Sequence, residues 1–407
     1  MRVYGRAIAW LAMLLIFGAA PAAPPTSRVA LAIGERLGML LPRLDSNGPS
    51  AYDATGNFWF IQAVGGTIAS TPWRIYRGKT LDDIVFQYEF IPDQHWPRPH
   101  SDDTWWAEGL WIDPADGRWY VVMHTEFNYN KYSRRQRTGY SIDRMSTVAL
   151  ATSTNQGRNW NFAGDIISSD HPSDPGYWAN QNYWRQGPGD PSLYVDSRYL
   201  YVYYNTRWNS RDDIDAIHAG VRVARCPINA KFAPGCWKKW YLGHWTSPGL
   251  GGHDSDVFNN DYSDTATVFW SESRHLYVAV TLGSYRLNAE RKDEYNGYIA
   301  TATSLDRQDW SRSIVALPPK YKGWYSWAVD PITHSRYVIE TDLLRWCAGE
   351  YAASDGIVGL QCYRARLTDP PADPVTTMPR YPPESVDDYS PGWDRVRFPP
   401  QTAGPPR

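Results

Sequence analysis

Apolar positions along this chain fall in short runs, and most runs end in a cluster of Asp, Gly, Asn or Ser. Val, Ile, Tyr, Phe and Trp dominate within them, the residues that suit a half-buried pleated surface. One stretch shows the pattern whole: Gly187-Pro-Gly-Asp-Pro-Ser-Leu-Tyr-Val-Asp-Ser-Arg-Tyr-Leu-Tyr-Val-Tyr-Tyr204. It predicts a strand over 192–195 with Asp190 at its entrance. A tight turn over 196–198 and a second strand over 199–204 follow.

The same shape recurs. A first unit opens over 45–62, with further strands near 73–77 and 85–91. A second spans 105–124 around the turn 113–117, then a strand over 147–152 and the polar stretch 153–160. The third is the stretch above, continued through 219–224 to Trp240. A fourth runs 264–270, turns at 271–274, and continues at 275–281 and 298–303. The fifth runs 323–329, turns at 330–335, continues at 336–340 and ends at 359–367. Repetition at roughly 50 to 75 residues, with four short strands per unit, predicts an all-β five-bladed β-propeller of antiparallel blades. The domain covers 24–367, with 24–44 as a lead-in and 368–407 as a Pro-rich tail. A pair of β-sandwiches is the alternative. No long stretch carries a capped helical period.

Composition narrows the function. The formal net charge is −2, which argues against a nucleic-acid partner. Arg2 and Arg6 precede an apolar run over 7–20 and then small residues, the form of a secretory signal over 1–23. That run is too short for a membrane span, and no other segment is apolar enough, so a secreted or periplasmic protein is expected. Cys226, Cys236, Cys347 and Cys362 then suggest disulfides, with the close pairs favoured among three pairings. The 21 Trp and 28 Tyr exceed what an average chain carries. They serve either a β-rich core or a site where indole faces stack on sugar rings.

Three motifs carry a resemblance. Gly189-Asp-Pro-Ser-Leu-Tyr-Val-Asp196, Ala107-Glu-Gly-Leu-Trp-Ile112 and Ala300-Thr-Ala-Thr-Ser-Leu-Asp-Arg-Gln-Asp-Trp310 resemble blade motifs of the five-bladed β-propeller glycoside hydrolases. That superfamily includes arabinanases and fructan hydrolases. Ser153-Thr-Asn-Gln-Gly-Arg-Asn-Trp160 is similar to the sialidase Asp-box, a turn joining outer strands of a blade, with Asn155 at the Asp position. The resemblance implies an acidic residue in an Asp-Pro pair opening blade one, where this chain has Gly48-Pro49. Asp45 or Asp53 would replace it.

Strand entrances of a propeller face a common funnel. Aligning the units brings Gly48, Glu108, Asp190, Asp264 or Ala266, and Ser326 or Trp327 to equivalent positions. Glycosidic cleavage needs one protonated and one ionised carboxyl, and neighbouring carboxylates push one pKa upward. The expected catalytic set is Glu108 as general acid, Asp190 as nucleophile, base or pKa modulator, and Asp45 and Asp264 for a remaining role. Each also has a structural reading, as a carboxylate bonding turn amides. Candidate sugar contacts are Trp105, Trp106, His124, Glu126, Trp184, Arg207, His253 and Trp327, with core packing or solvated loops as the alternatives. No cofactor is required. The loop 251–258 offers Asp254 and Asp256 as oxygen ligands for a structural Ca²⁺. No GxGxxG, P-loop, HExxH or G-x-S-x-G motif stands in a supporting context, so hydride, phosphoryl and serine acyl chemistry are disfavoured.

The reading is a secreted, monomeric glycoside hydrolase of a poly- or oligosaccharide. The alternatives are a non-catalytic glycan- or protein-binding propeller, and a sialidase-like or lyase enzyme.

Overall fold

The computed structural model describes residues 25–64, 72–96, 104–128, 144–170, 183–210, 217–258, 263–285, 294–317, 325–351 and 358–372. These residues form five small sheets set in a ring, the five-bladed propeller expected. Blade one holds Ser50–Tyr52, Phe58–Ala63, Trp73–Gly78 and Val85–Phe90. Blade two holds Thr104–Ile112, Trp119–Asn128, Arg144–Ser153 and Asn161–Ile167. Blade three has five strands, Tyr183–Val195, Tyr199–Ser210, Ile217–Pro227, Lys238–Tyr241 and His244–Pro248. Blade four holds Ser263–Ser271, Leu276–Tyr285, Glu294–Ala302 and Ile314–Leu317. Blade five holds Ser326–Val329, Leu343–Tyr351 and Val358–Thr368.

The fourth strand of blade five comes from the other end of the chain. Ala30–Pro42 pairs antiparallel with Val358–Thr368, so the expected lead-in is the strand that closes the ring. The expectation for 336–340 is also corrected. Val338–Ile339 pairs in parallel with the innermost strand of blade four, and the second strand of blade five is Leu343–Tyr351. The expected signal segment 1–23 and nearly all of the Pro-rich tail lie outside the described residues.

Most hairpin turns at the inner strands share one device. The carboxylate of Asp53 accepts from the N–H groups of Thr55 and Asn57 and from Trp59 Nε1. Asp113, Asp196 and Asp330 accept backbone N–H groups of their own turns in the same way. This is the Asx-turn chemistry behind the repeating Asp signal, and it assigns Asp53 to the turn. Ser153 Oγ accepts from Gly157 N–H at 2.9 Å, so the Asp-box-like stretch forms its turn between the two outer strands of blade two.

Five apolar clusters fill the ring, each straddling two consecutive blades, blade five with blade one included. Trp59, Trp73, Trp119, Trp237, Trp327 and Trp346 are fully buried in them. Most of the aromatic excess is therefore core. Apolar burial is worth about 25 cal/mol per Å², and flat blades meeting face to face favour the largest side chains.

The axis itself is filled. Arg336 Nη1 donates to Gly48 O of blade one, and Tyr337 OH to Leu110 O of blade two. The Tyr337 ring packs against Tyr194 of blade three, and its carbonyl accepts from Trp270 N–H of blade four. One short segment thus touches four blades beneath the strand entrances.

Candidate active site

The site grows from irregularities in the innermost strands. Alternation along a strand would send neighbouring side chains to opposite blade faces. A bulge inserts an extra residue and re-aims its side chain. In blade two the register slips between Ala107 and Gly109, leaving Glu108 as the extra residue. In blade three it slips between Gly189 and Ser192, at Asp190-Pro191. In blade four it slips between Ser263 and Thr265, at Asp264. Three adjacent blades therefore carry an acidic residue at the same irregularity. The side chain of Asp264 lies outside the described residues, as do those of Trp184 and Arg207.

Blade one contributes from just before its first strand. Gly48 has φ +62°, and a Cβ there would lie 3.1 Å from the Trp327 ring. Trp327 belongs to the core between blades five and one, so an aspartate at this position would meet an indole. The acid is Asp45, three residues earlier. Its Oδ2 accepts from Trp106 Nε1 at 3.2 Å and its Oδ1 from Tyr325 OH at 3.1 Å.

Asn47 ties these groups together. Its backbone N–H donates to Glu108 Oε2 at 2.6 Å. Its side-chain Nδ2 donates to the carbonyls of Pro191 and Asp190 at 3.0 and 3.4 Å. Asp190 Oδ2 accepts from Asn205 Nδ2 at 2.7 Å, and the Asp190 N–H donates to His124 Nδ1 at 2.8 Å. His124 Nε2 lies 3.3 Å from Glu126 Oε1. Thus Asp45, Glu108, Glu126, Asp190, His124 and Trp106 form one cluster.

Their electrostatics differ with burial. Burial pushes the Asp45 carboxyl up to about 6, and the charges of Asp190 and Glu126 add to it, against the hydrogen bonds from Tyr325 and Trp106. Burial also pushes Glu108 well above the usual carboxylate range, with Asp190 and Asp45 adding. The Asn47 N–H and the Arg336 guanidinium pull it back. Glu108 is 0% exposed, whereas Asp45 is only partly buried.

The other expected contacts separate from this cluster. Trp105 is buried at 3% exposure in the core between blades one and two, and Trp327 at 0%. Neither presents a face to a sugar. His253 is exposed and pairs with Asp170 at 2.6 Å. Asp254, expected as a Ca²⁺ ligand, is taken by protein groups: Arg222 Nε at 3.1 Å, Tyr204 OH at 2.9 Å and the Lys239 ammonium at 3.5 Å. Asp256 pairs with Arg222 Nη1. Lys239 is fully buried and also donates to the carbonyls of Ser168 and Gly252. Its ammonium stands among a carboxylate and two carbonyls, a donor set a cation would take. Among the described residues no group of three or more His, Cys, Asp or Glu could hold a metal.

Asn47, Asn205, Tyr325 and Arg336 were not legible as site residues. Tyr325 directly precedes the first strand of blade five, which is the one local signal it carries.

No family model matches the chain, and no curated protein matches it. Among solved structures it is similar to an α-L-arabinofuranosidase from Podospora anserina in complex with cellotriose, at 10% identity and TM-score 0.43, over 86% of this chain and 99% of that one. It is similar to an α-L-arabinanase from Penicillium chrysogenum complexed with arabinobiose, at 10% identity and TM-score 0.41, over 85% and 98%. A β-fructofuranosidase from Bombyx mori is similar at 11% identity and TM-score 0.47, over 82% of this chain and 61% of that one. Such distant likeness adds no weight. The propeller rests on sheet order and interface cores, and the chemistry on the side chains.

Proposed function

We propose that this protein is a glycoside hydrolase, with Asp45 as general acid and Asp190 as nucleophile or general base. The observation that carries this is a partly open Asp45, held by Trp106 and Tyr325 in the same cluster as Asp190, where burial and the charge of Asp190 push its carboxyl up to about 6. One group is then available to protonate a leaving oxygen while its neighbour works ionised. Whereas Asp45 is partly open, Glu108, expected as general acid on sequence grounds, is fully buried. We assign it instead to support of the cluster from below, through Asn47. Trp106 offers the indole edge of the site, and the substrate is a poly- or oligosaccharide. Two disulfides, Cys226–Cys236 and Cys347–Cys362, support export of the protein.

The test is hydrolysis of arabinan, fructan, galactan and sialosides by the wild type and by Asp45→Asn and Asp190→Asn. Each substitution is expected to lower kcat by about 100- to 10,000-fold. Undiminished turnover in both variants would refute the assignment. The second reading, a glycan-binding propeller without turnover, draws on Gly48 standing where the resemblance implies an acid. Glycan binding by the wild type with no product from any substrate would favour it.

A further inference from the structure

Asp190 owes its place to its own backbone. It sits in a bulge with φ +41°, a left-handed region that a non-glycine residue keeps only where neighbours hold it. Its N–H points away from the strand ladder and donates to His124 Nδ1. Only a ring with a lone pair on Nδ1 can accept that proton. The proton of the neutral ring is then on Nε2, which faces Glu126.

The ring has little freedom. Trp106 meets it edge-on, with centroids 5.4 Å apart. A Cβ on residue 189 would come within 2.8 Å of His124 Cε1, so Gly189 is needed for the close approach. Asp190 Oδ1 lies 3.8 Å from the same Nδ1. One nitrogen therefore has two claimants in one residue, a backbone donor and a carboxylate. Glu126 and Asp190 face the ring directly, and Asp45 and Glu108 act on the same cluster, with Arg336 acting on Glu108.

We propose that His124 is a positioning residue and protonation switch for Asp190. As the Nε2–H tautomer it holds the Asp190 N–H, and with it the carboxylate, in the working position. When Nδ1 takes a proton from solvent, it loses the lone pair, releases the N–H and pairs with the Asp190 carboxylate. The proposal rests on the reading of Asp190 as nucleophile or base. Its kinetic signature is a fall in kcat on the acid side with KM little changed, unlike loss of a sugar contact.

Two measurements test it. In the full-length protein labelled with ¹⁵N-histidine, the signal lost in His124→Asn identifies this ring. An Nε2–H tautomer at neutral pH is expected, and an Nδ1–H tautomer overturns the proposal. For kinetics, His124→Asn places an amide oxygen near the Nδ1 position, where it accepts but does not titrate. It is expected to keep most of kcat, with the acid-side fall moved to lower pH, because the remaining limb reports only the need for an ionised base. His124→Leu, with no acceptor, is expected to lose kcat by about 10- to 100-fold at every pH. Equal behaviour of the two variants, or wild-type kcat in His124→Leu, overturns the proposal. If His124→Leu does not fold, the tautomer and the His124→Asn profile decide. If no glycan is cleaved, the hydrolase reading fails while the tautomer still decides the role of His124.

Discussion

The backbone N–H of Asn47 donates to Glu108 Oε2 at 2.6 Å, joining the approach to blade one to the innermost strand of blade two. Glu108 is fully buried and its other oxygen has no hydrogen-bond partner among the described residues. The native state therefore holds the neutral carboxyl, and Glu108 binds its proton more tightly folded than unfolded. Its contribution to stability is present below the ordinary value of 4.5 and is lost as pH rises through the folded titration. Glu108→Gln keeps an acceptor for Asn47 and cannot ionise. Thermal melts across pH should show its Tm advantage over wild type growing as pH rises. Glu108→Ala should cost about 2–4 kcal/mol at any pH, from a cavity and an orphaned N–H.

Asp45 as general acid must be protonated to act. With its carboxyl at about 6, kcat/KM should decline as pH rises above that value. Tyr325 and Trp106 donate to the carboxyl and favour its ionised form. Removing either donor raises the carboxyl further. The alkaline limb should move to higher pH in Tyr325→Phe, and by less in Trp106→Phe, since the Tyr325 bond weighs more. A limb that stays in place in both would remove Asp45 from the acid role.

Gly48 combines φ +62° with a close indole. Gly48→Ala is expected to lose about 1–3 kcal/mol in urea unfolding, from strain and the clash with Trp327. Gly48→Asp should be no more active than Gly48→Ala if Asp45 is the acid of blade one, as proposed.

Lys239 is fully buried and reaches Asp254, which is partly exposed. Lys239→Met should cost about 1–3 kcal/mol, since the carbonyls of Ser168 and Gly252 lose their donor while Asp254 keeps Arg222 and Tyr204. A cation held in the loop 251–258 would make the wild-type Tm fall on dialysis against EDTA; with Lys239 already against Asp254, no fall is expected.

Cys347 and Cys362 face each other across the two middle strands of blade five, next to the strand that closes the ring. Replacing both by Ser should cost about 2–4 kcal/mol. Protease should then release the N-terminal strand earlier than in the wild type, as followed by mass spectrometry.

Local features were readable along the chain. Asp53, Asp113, Asp196 and Asp330 announce turns because an aspartate satisfies amides two or three residues away. The disulfide pairs were readable for the same reason, with partners 10 and 15 residues apart. Ala30–Pro42 was not readable as a strand, because its partner begins at Val358. Leu343–Tyr351 was missed too, since Arg345, Gly349 and Glu350 break its apolar pattern.

The site divides along the same line. Glu108 and Asp190 stood out in the sequence because each opens a repeated unit. Their burial, and hence the proposed exchange of roles between Glu108 and Asp45, depends on how blades one, two and three meet. So does the fate of the tryptophans: Trp105 and Trp106 are neighbours in one strand, yet one faces the core and the other Asp45. The sequence by itself determined most strands, their turns and the five-fold repetition, since these follow from contacts a few residues apart. Only the tertiary structure decided which carboxyls share one electrostatic field, because desolvation and charge coupling arise between blades that the chain brings together only when the ring closes.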